Sequence, residues 1–157
     1  MLKKELTIMD SEKFPYEVTI EVAFRDIDAF GHVNNAVFFS YMEYARVKFA
    51  VELFAYSNLA TESLLDIPLI LVEATCSYHS PALLGEKLTL GVGLSRFGNK
   101  SFDLIYRFTG QDGRLVATGK TIQVMYDYSL GRSFAVPESI KQKVNELQKG
   151  WTPPETK

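Results

Sequence analysis

The stretch from Asp26 to Arg46 reads D-I-D-A-F-G-H-V-N-N-A-V-F-F-S-Y-M-E-Y-A-R. Up to Asn35 it is rich in turn formers and helix starters around a single glycine, Gly31, and so predicts an ordered loop that delivers the chain into a helix. From Ala36 to about Tyr56 apolar and aromatic residues occupy nearly every side, while Glu43, Arg46, Lys48 and Glu52 are spaced for i,i+3 and i,i+4 pairing. A helix so apolar is expected to be surrounded by protein.

Outward from this centre the pattern changes to strands. Upstream, Val18, Ile20, Val22 and Phe24 alternate with Thr19, Glu21, Ala23 and Arg25, a period of two that predicts a first strand from about Tyr16 to Phe24. Downstream, residues 58–68 form a connector, and extended segments follow at Leu69 to Tyr78, Lys87 to Phe97, Ser101 to Thr109 and Arg114 to Tyr128. The joints Ser80-Pro81 with Gly85, Gly98-Asn99 and Gly110-Gln111-Asp112-Gly113 are too short for parallel crossovers and so predict antiparallel neighbours. A second, polar helix is expected over about 137–149, with a frayed end from Trp151 to Lys157. The order predicts an α+β fold in one domain over 1–157, with a core from about 16 to 128 and a long antiparallel sheet of five strands wrapped around the apolar helix. Such a sheet has open edges, and pairing them between subunits protects them; a homodimer, as part of a homotetramer, is expected.

Composition limits the function. A chain of 157 residues is one domain, since cores split only beyond about 250 residues. Seventeen Lys plus Arg against 19 Asp plus Glu give no diffuse positive field for nucleic acid. One cysteine and two histidines supply neither an intramolecular disulfide nor a zinc-finger ligand set. The charged N-terminus lacks the apolar run of a signal peptide, and no stretch approaches the roughly 20 apolar residues of a membrane span. A soluble, cytoplasmic protein without metal, cofactor, nucleic acid or membrane partner is expected. Asp26, Asp28, His32 and Glu43 are cation-ligating types, but a metal set is the weaker explanation of them. Gly131-Arg132-Ser133-Phe134-Ala135 lacks the second glycine of a nucleophile elbow. Gly91 and Gly93 stand inside a strand, which excludes a dinucleotide loop and predicts glycines that let the sheet bend over the helix. Cys76 reads as an inert thiol, its neighbour His79 alternating to the other face.

The strand, the D-x-D-x-x-G-H-V-N-N loop, the helix carrying E-x-A-R and the four long strands together resemble the hotdog-fold acyl thioesterases of the 4-hydroxybenzoyl-CoA thioesterase type. The resemblance covers roughly Tyr16 to Tyr128 and implies hydrolysis of an acyl-CoA, or of an acyl-carrier-protein thioester, with no cofactor. It carries over Asp28 as nucleophile or general base, the backbone N–H of Asn35 as oxyanion donor, and Gly31 as the position of close approach. H-V-N-N occurs in many such enzymes, so His32 and Asn34 are candidates to orient water or hold the carbonyl, with N-capping the competing role of Asn34. Glu43 is a candidate polar contact to the acyl group or, equally, an ion-pair partner of Arg46. Asp26 reads as a turn or ion-pair carboxylate.

Physically, the loop offers what thioester cleavage needs, a carboxylate beside unpaired N–H groups at the positive end of a helix. Phe30, Phe38, Phe39, Tyr41 and Tyr78 are candidates to line an acyl channel, where each buried methylene contributes about 0.8 kcal/mol, though core packing explains most of them. A phosphate rim would need basic residues such as Arg96, Lys100 and Lys120, but scattered surface charge explains these equally well and none is assigned to it. The 4-hydroxybenzoyl-CoA enzymes have a D-P-A-G-I-V-type loop with an aromatic where Asn35 stands, and this departure argues against a hydroxybenzoyl substrate. A non-catalytic acyl-CoA binder is the alternative class.

Overall fold

The computed structural model describes residues 13–54 and 67–154. Strand β1 (Tyr16–Glu21) leads through a 3₁₀ turn (Phe24–Asp26) and a loop into helix α1 (Val37–Phe54). Strands β2 (Leu69–Tyr78), β3 (Lys87–Phe97), β4 (Ser101–Thr109) and β5 (Leu115–Asp127) follow, then the two-residue β6 (Arg132–Ser133) and helix α2 (Glu138–Leu147). The expected connector over 58–68 lies mostly outside the described residues, as does Tyr56.

The five long strands form one antiparallel sheet in the order β1-β3-β4-β5-β2, with β6 paired to the end of β5. Strands β1 and β2 finish on opposite edges, while β3, β4 and β5 run as consecutive hairpins; the short joint after β2 was expected to make β2 and β3 neighbours, but it carries the chain across the sheet, and β2 pairs with β5 instead. This is the α+β hotdog arrangement, a five-stranded antiparallel sheet packed against a central helix. Strand β1 ends three residues earlier than its alternation predicts. The carboxylate of Asp26 accepts the Ala23 N–H at 3.0 Å and turns the chain there, and Val22 is held instead by Gly85 and Glu86.

One face of the sheet packs on α1. Leu88, Leu90, Val92 and Leu94 of β3, and Phe102, Leu104, Tyr106 and Phe108 of β4, meet Phe38, Met42, Ala45, Phe49 and Leu53 of the helix, all of them buried. Each large apolar side chain removed from water contributes about 1.5–3 kcal/mol, so this face fixes where α1 begins. On the opposite face of the helix Tyr44, Val47 and Val51 are exposed, so the described residues do not give the full enclosure its composition predicts.

The glycines also differ from expectation. A Cβ on Gly119 of β5 would strike the Met42 thioether, so this is the glycine that lets sheet and helix approach. Gly91 and Gly93 point away from α1, and a Cβ on them would strike the rings of Phe14 and Trp151. Those rings pack together with centroids 5.4 Å apart, so Trp151 is anchored where fraying was expected. Just before it, the Gln148 side chain accepts the Leu94 N–H at 2.6 Å and donates to the Leu94 carbonyl at 3.0 Å. It thereby satisfies the part of β3 that extends past β1.

A candidate active site at the start of the helix

The loop before α1 is built by its own hydrogen bonds. Ile27 and Val33 form an isolated antiparallel bridge, and the turn between them closes with the Asp28 N–H donating to the His32 carbonyl at 3.1 Å and the Gly31 N–H to the Asp28 carbonyl at 3.0 Å. Gly31 has φ of 85°, a left-handed conformation that explains a glycine here. Asp28 Oδ1 accepts the Phe30 N–H at 2.9 Å. That bond fixes the carboxylate's orientation while its second oxygen makes no bond among the described residues.

Asn34 starts the helix. Its side-chain oxygen accepts the Ala36 N–H at 2.9 Å and its carbonyl the Val37 N–H at 3.0 Å, so its amide is spent on capping. The N–H of Asn35 finds no acceptor among the described residues. The Asn35 carbonyl accepts the Tyr78 hydroxyl at 2.9 Å, which ties the end of β2 to the start of α1. Burial pushes the Tyr78 phenol up from its ordinary pKa, so it remains a neutral donor at physiological pH.

Asp26 is occupied elsewhere. It accepts the Tyr41 hydroxyl at 2.7 Å besides the Ala23 N–H. Burial first, then this carboxylate, hold the Tyr41 phenol far above its usual range. Arg25 stands 3.9 Å away, and the turn and the tyrosine are what the Asp26 side chain serves.

Asp28, Phe30, His32, Asn35 and Tyr78 line one cavity of about 480 Å³, together with Val33, Phe38, His79, Ser80, Pro81 and Ala82. Its floor is aromatic: Phe38 is buried and meets Tyr78 edge-on at 5.3 Å and Phe108 at 5.1 Å. Phe30 stands at the mouth, 85% exposed, its ring stacked beside that of His32 at 6.4 Å. The ring nitrogens of half-buried His32 make, among the described residues, a single long contact, Nδ1 to the Val33 carbonyl at 3.5 Å.

The remaining candidates lie elsewhere. Phe39 is 37% exposed on α1 and outside this cavity. Tyr41 is buried and, like Glu43, absent from its walls; Glu43 lines a separate hollow over the back of α1 with Tyr16, Ser40, Tyr44 and Lys48. Arg96 and Lys120 form no rim here, because both bind the buried carboxylate of Asp103, at 3.2 and 3.0 Å. Lys100 reaches Ser133 at 3.4 Å. His79 was not anticipated as a site residue: it follows the last residue of β2, where strand alternation no longer applies, and its Nε2 lies 3.2 Å from Thr118 Oγ1. Cys76 is half-buried, and burial raises its thiol pKa. Among the described residues no group of three His, Cys, Asp or Glu side chains stands together as a metal-binding set, and no helix is long and apolar enough to cross a membrane.

The family model described as the thioesterase-like superfamily matches residues 22–144. Among curated proteins, the long-chain acyl-CoA thioesterase FadM of Escherichia coli is 24% identical over 134 residues, covering 85% of this chain and 99% of FadM. Among solved structures, a thioesterase of Thermus thermophilus in complex with coenzyme A and Zn superposes with a TM-score of 0.75 at 32% identity, over 87% of this chain and 96% of that one. The BH1999 gentisyl-coenzyme A thioesterase gives 0.69 at 27% identity, over 82% of this chain and 99% of its own.

Proposed function

The chain belongs to the thioesterase-like superfamily, and on that premise we propose that it hydrolyses an acyl-CoA thioester to the free acid and coenzyme A at the cavity before α1. The observation that carries this reading is the convergence of Asp28, Asn35 and Tyr78 on one apolar-floored cavity at a helix start. The likeness to FadM and to the coenzyme A-bound Thermus thioesterase supports the substrate class.

In this mechanism the Asp28 carboxylate, oriented by the Phe30 N–H, takes a proton from water as its oxygen bonds to the thioester carbonyl carbon. The carbonyl oxygen becomes an oxyanion and is met by the Asn35 N–H at the positive end of the helix. Collapse breaks the C–S bond, and the departing thiolate receives the proton held by Asp28. If Asp28 instead attacks the carbonyl carbon directly, the C–S bond breaks, the thiolate leaves and takes a proton from water, and the acyl anhydride so formed is hydrolysed. Single-turnover hydrolysis in ¹⁸O-water tests this second route, since label in the protein carboxylate arises only from an anhydride that water opens at the aspartyl carbon. His32 and His79 flank the cavity and orient water or the thioester. Gly31 gives the turn its shape, and Asn34 acts through the cap it makes.

We infer a cytoplasmic homodimer joined along β2. That strand is an open edge of ten residues whose Leu71 and Val72 are 42% and 57% exposed, an aggregation hazard unless paired. The uncovered Tyr44, Val47 and Val51 of α1 supply a surface for assembling dimers into the tetramer.

The test is release of free thiol from a panel of acyl-CoAs of graded length and from an acyl-carrier-protein thioester, with Asp28→Asn beside the native protein. The expected result is turnover by the native chain and a fall in kcat of roughly 10²–10⁴ in the variant. Binding of acyl-CoA without thiol release at any length would make the protein a binder.

A further inference from the structure

We propose that Arg114, outside the cavity, is the positioning residue that sets its second wall and, through that wall, the Asp28 loop. The inference rests on the hydrolytic reading only for its kinetic consequence.

Arg114 lies just before β5, and its guanidinium is used on four acceptors. Nη1 donates to Glu86 Oε1 at 2.6 Å and to Asp112 Oδ1 at 2.8 Å. Nη2 donates to Glu86 Oε2 at 2.8 Å and to the Pro81 carbonyl at 2.6 Å. A planar fork engaging a carboxylate with both arms fixes direction as well as distance, which a lysine does not reproduce. Glu86 is buried at 9% exposure, and the same Oε2 also accepts the Leu83 N–H at 3.0 Å. The fork thus grips the 81–86 loop at Pro81 and Glu86, and Glu86 holds it again at Leu83. Gly110 is required by this packing, since a Cβ there would lie 2.5 Å from Nη1 and 2.8 Å from Glu86 Oε1.

The gripped loop is part of the cavity wall. Pro81 and Ala82 line the cavity, and the Ala82 carbonyl accepts the Val33 N–H at 2.9 Å. Val33 is buried and bridges to Ile27 across the turn that carries Asp28 and His32. A continuous path therefore runs from Arg114 through Pro81 and Ala82 to Val33 and the reacting carboxylate. Reactive geometry is sensitive to displacements of about 1 Å, worth roughly 10²-fold in rate. The Glu86 carboxyl is held below its ordinary range by the Arg114 hydrogen bonds, so the clamp is charged through the neutral range.

The experiment combines amide hydrogen exchange with kinetics on Arg114→Gln, Arg114→Lys and Glu86→Gln in the full chain. Exchange at Val33 and Leu83 is expected to accelerate by about tenfold or more in Arg114→Gln and Glu86→Gln, while β4 amides such as Leu104 and Tyr106 keep native protection. With the acyl-CoA cleaved fastest by the native protein, kcat falls by roughly tenfold or more and KM changes less. Arg114→Lys falls between, retaining charge without the fork. Unchanged exchange at Val33 and Leu83, or a uniform loosening that reaches Leu104, overturns the proposal. If native protein releases no thiol, the hydrolytic reading fails, and exchange alone still decides the clamp.

Discussion

Replacing Gly119 with alanine tests the helix-on-sheet contact from which the cavity is built. The added methyl would lie within contact of the Met42 thioether and 3.2 Å from the Thr75 carbonyl, and Met42 is fully buried. Overpacking a close-packed site of this kind costs about 1–3 kcal/mol. Removing a glycine from the unfolded chain returns about 0.4–1 kcal/mol, leaving a net loss of up to about 2.6 kcal/mol. At about 2–4 °C per kcal/mol for a chain of this size, the melting point falls by up to roughly 10 °C. The decisive measurement is the double-mutant cycle with Met42→Ala by urea unfolding. Met42→Ala alone costs about 2–5 kcal/mol, but in its background the alanine at 119 enters vacated space and is neutral or mildly stabilising. A coupling of about 1–3 kcal/mol is therefore expected. Strict additivity of the two substitutions would refute the claim that Gly119 sets the approach of α1.

Other outcomes follow from the same contacts. Asn34→Ala removes the side-chain cap of α1 and is expected to cost about 1 kcal/mol of stability by denaturant unfolding, with Asn34→Asp retaining most of it. Asp103 is buried, which alone would raise its pKa, but hydrogen bonds from Arg96 and Lys120 outweigh burial and lower it. Its ionised form therefore contributes stability above the usual carboxylate range, and this is lost as pH falls through the depressed folded value; Asp103→Asn flattens the acid limb of a stability–pH curve. The raised Cys76 thiol predicts alkylation at pH 7.5 slower than that of a free cysteine, accelerating to the ordinary rate in urea.

The fold was legible because its signals are periodic. The bounds of β2, β3 and β4 coincide with the expected ones, since turn residues punctuate the alternation on both sides. The end of β1 was not legible, because Phe24 continues the apolar alternation and only the Asp26 carboxylate, a tertiary choice, turns the chain. The glycines show the same limit: sequence singled out Gly91 and Gly93, and only register shows that Gly119 is the one facing Met42. In the candidate site, Asp28, Phe30, His32 and Asn35 were named from the loop and Tyr78 from the end of a strand, and one cavity is lined by all five. His79 and Arg114 lay out of reach, the first because it was read only as the neighbour of Cys76 on the other face of a strand, which says nothing of the cavity it borders. Arg114 acts through contacts with residues 28 and 33 positions distant, and no local pattern announces those.

The pairing of Phe14 with Trp151 has a practical consequence. These rings come from the two extremities of the described chain and share the space over two glycines of β3. The single tryptophan of the protein is therefore an intrinsic optical gauge of whether Phe14 and Trp151 stay together. Should its emission shift at lower denaturant than the far-ultraviolet dichroism, this contact undoes before the remainder melts.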